Sequence, residues 1–169
     1  LVSLNLDSIA GSIDEFAFYD SSIKEIKIGT IGGNLYSKSL AHCKSLKSVE
    51  FNKGPLKVYN GTFELSDSLE SFIGGDGMES VEDEAFVAVV YVKNWLGLDE
   101  KQVTYRTALK RAVLPSTVTK IGNKAFYQCV NLTDFELPKG LTSLGSEAFY
   151  NCRSLKSVDI PEGITTIPE

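Results

Sequence analysis

The 169-residue chain is poor in the residues that most chemistry is built from: one histidine, three cysteines, one tryptophan and one methionine. Zinc sites need clustered His, Cys or carboxylate ligands, and nucleophilic triads need an oriented base, so His42 beside Cys43 leaves little to assemble either from. G-x-S-x-G, Walker and H-E-x-x-H motifs are absent. Gly74-Gly75-Asp76-Gly77 lacks the Lys-Ser/Thr of a phosphate loop and reads as a turn. No apolar run approaches the ~18 residues of a membrane span; the longest is Phe86 to Val92. Basic charge is scarce as well. Seventeen Lys and Arg against 22 Asp and Glu give a net charge of -5, which excludes a basic nucleic-acid footprint. The composition points away from an enzyme, a cofactor, a metal site and membrane insertion. What is present is ordinary for one folded domain: 43% hydrophobic and 23% charged residues.

The informative feature is a repeat. Leu114-Pro115 lies over Leu137-Pro138 and Ile160-Pro161 at an offset of 23 residues. The same offset aligns Ile121 with Leu144 and Ile167, Ala125-Phe126 with Ala148-Phe149, Cys129 with Cys152, and Leu132 with Leu155. Carried through the whole chain, it reveals a strand-like unit, apolar-x-x-apolar-x-apolar. Its seven copies are Leu1/Leu4/Leu6, Ile23/Ile26/Ile28, Leu46/Val49/Phe51, Leu69/Phe72/Gly74, Leu109/Ala112/Leu114, Leu132/Phe135/Leu137 and Leu155/Val158/Ile160. Seven residues after each unit stands one apolar anchor: Ile13, Leu35, Val58, Val81, Ile121, Leu144 or Ile167. Five residues later, in the units that continue, stands another: Phe18, Leu40, Phe63, Phe86, Phe126 or Phe149.

A unit of this length cannot bury its own apolar face, but stacked copies make one continuous core. Alternation in Phe135-Glu136-Leu137 and Val158-Asp159-Ile160 turns one side of each strand inward and the other to water. Pro115, Pro138 and Pro161 then end the strands. The expected fold is an α/β repeat: a solenoid with parallel strands about 4.8 Å apart on one face and short helical or irregular turns on the other.

The segments LPSTVTKIGNKAFYQCVNLTDFE and LPKGLTSLGSEAFYNCRSLKSVD carry a resemblance. They resemble the BspA-like, or Treponema pallidum type, leucine-rich repeats. The Ile-Gly-x-x-Ala-Phe-x-x-Cys-x-x-Leu core of that family stands at Ile121, Gly122, Ala125, Phe126, Cys129 and Leu132, and again from Leu144. The copies at 35 to 46 and 58 to 69 depart from it, with Leu40 for Phe and Ser66 for Cys, and are held by register. The resemblance implies a single leucine-rich-repeat solenoid over 1–169, and an exported or surface-attached protein engaged in adhesion.

The period breaks once. Phe86 and Leu109 are 23 residues apart instead of the usual 6, so 17 extra residues lie between them. Either 87–104 holds a loop insertion away from the sheet, or Val92/Trp95/Gly97 is an eighth unit followed by a shortened repeat. The insertion is favoured, because the alternative would place Thr104 at an apolar anchor. Trp95 either packs back on the solenoid or meets a partner. Both ends cut through a repeat, which suggests a piece of a longer array, and no terminal polar cap is visible.

Cys43, Cys129 and Cys152 share one repeat position, which reads as a ladder of small buried hydrophobes rather than a disulfide or a reactive set. His42 reads as a surface histidine. Asn60-Gly61-Thr62 and Asn131-Leu132-Thr133 match the glycosylation sequon without deciding a compartment.

With catalysis discounted, the outward face of the sheet is the candidate site. Alternation selects Glu25, Lys27, Ser48, Glu50, Ser71, Ile73, Arg111, Val113, Asp134, Glu136, Ser157 and Asp159, with Trp95 as a separate candidate. The column turns acidic through Asp134, Glu136 and Asp159, after a basic band at Lys110 and Arg111. The expected activity is protein binding, with a host matrix or cell-surface protein as partner and the chain itself a monomer. The alternative is an architectural spacer within a larger surface protein or enzyme.

Overall fold

The structure, a computed structural model, describes residues 2–87, 89–93, 99–103 and 107–169. Parallel pairing at the repeat offset organises it. The strands β1 (Ser3–Ile9), β2 (Glu25–Ile31), β3 (Ser48–Lys53), β4 (Lys57–Val58), β5 (Ser71–Ile73) and β6 (Ser80–Val81) precede the break in period. After it come β7 (Val89–Lys93), β8 (Asp99–Val103), β9 (Arg111–Val113), β10 (Lys120–Ile121), β11 (Asp134–Phe135) and β12 (Ser143–Leu144). One six-stranded sheet runs β1-β2-β3-β5-β9-β11, every pair parallel. Its inward row is Leu4, Ile26, Val49, Phe72, Ala112 and Phe135, each directly beside the next.

The first anchors form a second parallel sheet, which the expectation of a sheet on one face did not include. It runs β12-β10-β6-β4 and continues through single bridges from Val58 to Leu35 and Leu35 to Ile13. A β-branched or leucine side chain repeated at one position suits such a pleated ladder. Leu35, Val58, Val81 and Ile121 are fully buried. The second anchors stack as aromatic rings: Phe63 on Phe86 at 4.9 Å, Phe86 on Phe126 at 4.9 Å and Phe126 on Phe149 at 5.3 Å, all nearly parallel.

The remaining face carries turns, and no helix forms among the described residues, so the helical part of the α/β expectation is not met. The backbone gives the reason. Each turn holds two residues in the left-handed region four apart: Phe16 and Asp20, Lys38 and His42, Gly61 and Leu65, Lys124 and Gln128, Glu147 and Asn151, with φ between 54° and 65°. A left-handed residue cannot propagate a right-handed helix. The turn amides instead donate sideways into the next repeat. Phe18 N–H reaches Ser39 O at 2.8 Å, Leu40 reaches Thr62 O at 3.1 Å, Phe86 reaches Ala125 O at 3.1 Å and Phe126 reaches Ala148 O at 2.9 Å. Neighbouring repeats are thus joined by three ladders of backbone hydrogen bonds.

Two expected positions fall outside this order. The seventh unit, Leu155/Val158/Ile160, forms no strand and does not pair with β11. Ile167, expected as an anchor, is 68% exposed. At the other end Leu6 is 41% exposed, because β1 has a neighbour only on its β2 side. Leu1 lies outside the described residues.

At the break in period, β7 and β8 pair antiparallel with each other and join neither parallel sheet. Val92, the start of the alternative eighth unit, belongs to β7. β5 pairs directly with β9, Ser71 beside Arg111, so the stack continues across this segment in normal register.

Candidate binding face

The outward face of the six-stranded sheet carries two rows that cross most of its strands, and a third, short row of Ser8, Thr30 and Lys53 on the long strands β1 to β3. Parallel pairing in register brings the sequence-selected residues into the two long rows. One row reads Ser3, Glu25, Ser48, Ser71, Arg111, Asp134. The other reads Asn5, Lys27, Glu50, Ile73, Val113.

Charges along these rows neutralise one another across the strands. Lys27 Nζ lies 3.2 Å from Glu50 Oε1, and Arg111 Nε lies 3.3 Å from Asp134 Oδ2. Just outside the rows, Lys110 Nζ donates to Glu70 Oε2 at 2.9 Å. That hydrogen bond, followed by the lysine charge, holds the Glu70 carboxyl below the usual carboxylate range. The basic band at Lys110 and Arg111 is therefore engaged with carboxylates. Asp134 is engaged too, whereas Glu136 and Asp159 form no ion pair among the described residues. Both are exposed, as is Ser157, and none of the three lies in a paired row.

Between the two ion pairs lies an apolar centre. Ile73 and Val113 are direct neighbours on β5 and β9, both half-buried and facing outward, with the small Ser48 and Ser71 beside them. An apolar centre within a charge-paired rim has the anatomy of a protein contact surface. Trp95 lies outside the described residues.

The cysteine and histidine positions are taken up by the fold. Cys43 Sγ donates to Phe18 O at 3.0 Å and Cys152 Sγ donates to Phe126 O at 3.2 Å, each reaching the second anchor of the preceding repeat. All three cysteines are free thiols. Burial pushes the Cys43 and Cys129 thiols up, and that of Cys152 up to about 11. The His42 ring leans on Tyr19, with centroids 4.7 Å apart, rather than on Cys43. Among the described residues no three His, Cys, Asp or Glu side chains gather as metal ligands, and no helix is long and apolar enough to cross a membrane.

The family follows from this repeat. Six copies of the BspA type leucine-rich repeat region match residues 1–93 and 100–169. The chain belongs to the BspA-type leucine-rich repeat family. Its motif now has a physical reading. The Gly of Ile-Gly is required because a Cβ at Gly122 would sit 2.5 Å from Asp83 N, where the preceding repeat approaches. The Ala-Phe pair supplies the turn ladder and the aromatic stack, and the Cys supplies the inter-repeat donor.

Two solved leucine-rich repeat structures are similar in fold. One is a leucine-rich repeat protein of T. pallidum, with TM-score 0.59 and 22% identity over 82% of this chain and 53% of that one. The other is a leucine-rich repeat protein from Bacteroides ovatus, with TM-score 0.56 and 19% identity over 95% of this chain and 34% of that one. The chain therefore spans about half the length of the first and a third of the second. No curated protein matches it.

Proposed function

We propose that this BspA-type repeat chain is a non-enzymatic protein-binding module of a secreted or cell-surface protein, working through the outward face of the six-stranded sheet. The observation that carries this reading is the Ile73 and Val113 pair, an outward apolar contact set between the Lys27–Glu50 and Arg111–Asp134 ion pairs. Desolvating such a centre contributes affinity, while paired rim charges set register and discourage wrong partners. Leucine-rich repeats commonly serve protein interaction, and BspA-like proteins are often exported, which supports the compartment.

The test is solid-phase binding to a panel of host matrix and cell-surface proteins, with the Ile73→Lys, Val113→Lys double variant alongside. Saturable binding that falls at least about tenfold in the double variant, with an unchanged circular dichroism spectrum, supports the face. Binding that survives places the contact elsewhere. No binding to any panel member favours the architectural spacer.

A further inference from the structure

Opposite charges meet across neighbouring strands of the six-stranded sheet, as Lys27 meets Glu50 and Arg111 meets Asp134. The next junction breaks that rule. At the repeat offset of 23 residues, Ser157 would fall beside Asp134, Val158 beside Phe135, and Asp159 beside Glu136. Two like charges directly opposite one another on a sheet face are destabilising.

The sixth repeat, which leads into this segment, is docked on the fifth. Its turn is held by Phe126 N–H on Ala148 O at 2.9 Å and Gln128 N–H on Tyr150 O at 2.7 Å. Its β12 pairs with β10, and Ser154 Oγ donates to Val130 O at 2.7 Å. From Leu155 to Ile160 the chain leaves the backbone ladder, although Leu155 and Val158 still touch the core, and past it Glu147 N–H reaches Glu169 O at 2.9 Å. No backbone hydrogen bond joins β11 to residues 155–160, and a groove of about 850 Å³ opens between them. Phe135, Leu137, Val158 and Ile160 line it with apolar surface, and Asp134, Glu136, Asp159 and Glu162 line it with carboxylates that outnumber its two lysines, Lys139 and Lys156. Ile160, which a docked strand would turn inward, is 46% exposed. The volume is that of a ligand cleft, and the open side of β11 is a sheet edge of the kind that accepts an added strand.

We propose that this groove binds an extended peptide of alternating apolar and basic residues as an added strand on β11. The apolar side chains of the guest cover Phe135, Leu137, Val158 and Ile160. A lysine or arginine of the guest lies between Glu136 and Asp159 and restores the alternation of charge that the chain's own strand cannot supply. This site is at the C-terminal end of the sheet and does not depend on binding at the Ile73 and Val113 face.

The experiment is calorimetric titration of the chain with a capped hexapeptide alternating valine and lysine, against its valine and glutamate counterpart. Amide hydrogen exchange at positions 157 and 159 is followed in parallel, since Asp134, one repeat before Ser157, donates its N–H to the preceding strand at Lys110 O. The lysine peptide is expected to bind saturably at one site and the glutamate peptide not to bind. Asp159→Lys pairs the chain's own segment with Glu136, so it is expected to protect the amides at positions 157 and 159 and weaken peptide binding at least about tenfold. Glu136→Lys is expected to do the same, and serves if the first variant does not fold. Equal binding of the two peptides, unchanged binding in the folded variant, or protection of both amides in the unaltered chain without peptide would overturn the proposal. The last result would mean that the chain's own strand fills the groove.

Discussion

The Ser66 hydroxyl accepts the backbone N–H of Cys43 at 3.1 Å and donates to Leu40 O at 2.6 Å. Ser66 occupies the position that cysteine holds in other repeats, and the Cys43 and Cys152 thiols make the corresponding donation to Phe18 and Phe126. The position selects a small buried donor, and serine meets that requirement as well as cysteine does. Ser66→Ala leaves a buried amide and a buried carbonyl without a partner, and is expected to cost about 2 kcal/mol. Ser66→Cys keeps a donor and is expected to cost about 1 kcal/mol or less. Urea unfolding midpoints of the two variants check this; equal losses would show that the hydrogen bonds carry no weight.

Two phenylalanines are expected to respond in opposite directions. Phe126 is fully buried, stacked between Phe86 and Phe149, and its replacement by Ala is expected to destabilise by about 3–5 kcal/mol. Phe16 is 54% exposed and sits at φ 61°, where a bulky residue is strained. Phe16→Gly is expected to be neutral or stabilising by up to about 1 kcal/mol. Thermal unfolding of the pair reads the difference in sign.

Gly122→Ala is expected to destabilise by about 1–3 kcal/mol, because the new methyl meets Asp83 N and Glu82 C, which belong to the backbone of the preceding repeat. The Asp83 carboxylate also accepts Asn123 N–H at 2.8 Å, holding that approach close. The expected signature is a lower unfolding midpoint together with faster exchange of the Asn123 amide. Unchanged exchange would mean that the contact relaxes without loss.

The thiols predict a dependence on alkaline pH. Burial raises the Cys152 thiol to about 11 and raises Cys43 and Cys129 as well, from an unfolded value near 9.0. The folded state therefore binds these protons more tightly than the unfolded state. The stability associated with them is fully present below pH 9 and is lost as pH rises through about 11. Unfolding midpoints measured from pH 8 to 11 should fall, and a triple Cys→Ser variant should fall less. At pH 8 all three thiols are expected to resist iodoacetamide until the chain unfolds.

The period, the first six units and the first anchors as far as Leu144 were legible because a core shared between identical turns imposes the same residue types at the same spacing. The Ile13 to Leu144 positions were recognised as buried, yet their backbone pairing into a second sheet was not, since an isolated apolar residue carries no alternation to betray a strand. The turns escaped for a different reason. Left-handed positions are held here by Phe16, Lys38, Leu65 and Gln128, none of which advertises that conformation, because the inter-repeat hydrogen bonds impose it. On the candidate face, alternation found the rows, whereas the Arg111–Asp134 pairing needed the register across β9 and β11 to become visible. The juxtaposition of Glu136 and Asp159 was readable from the offset alone, as two carboxylates one repeat apart where Lys27 meets Glu50 and Arg111 meets Asp134.

The three ladders all direct their hydrogen bonds along the stack, perpendicular to the strands they join. A load applied between the two ends of the solenoid therefore meets these bonds one row at a time rather than all at once. Under tension the chain should lengthen by peeling, each turn of 22 or 23 residues releasing about 75 Å of contour before the next row is engaged. A stack of this kind behaves as an extensible tether, yielding gradually where a sheet loaded along its strands would resist and then break.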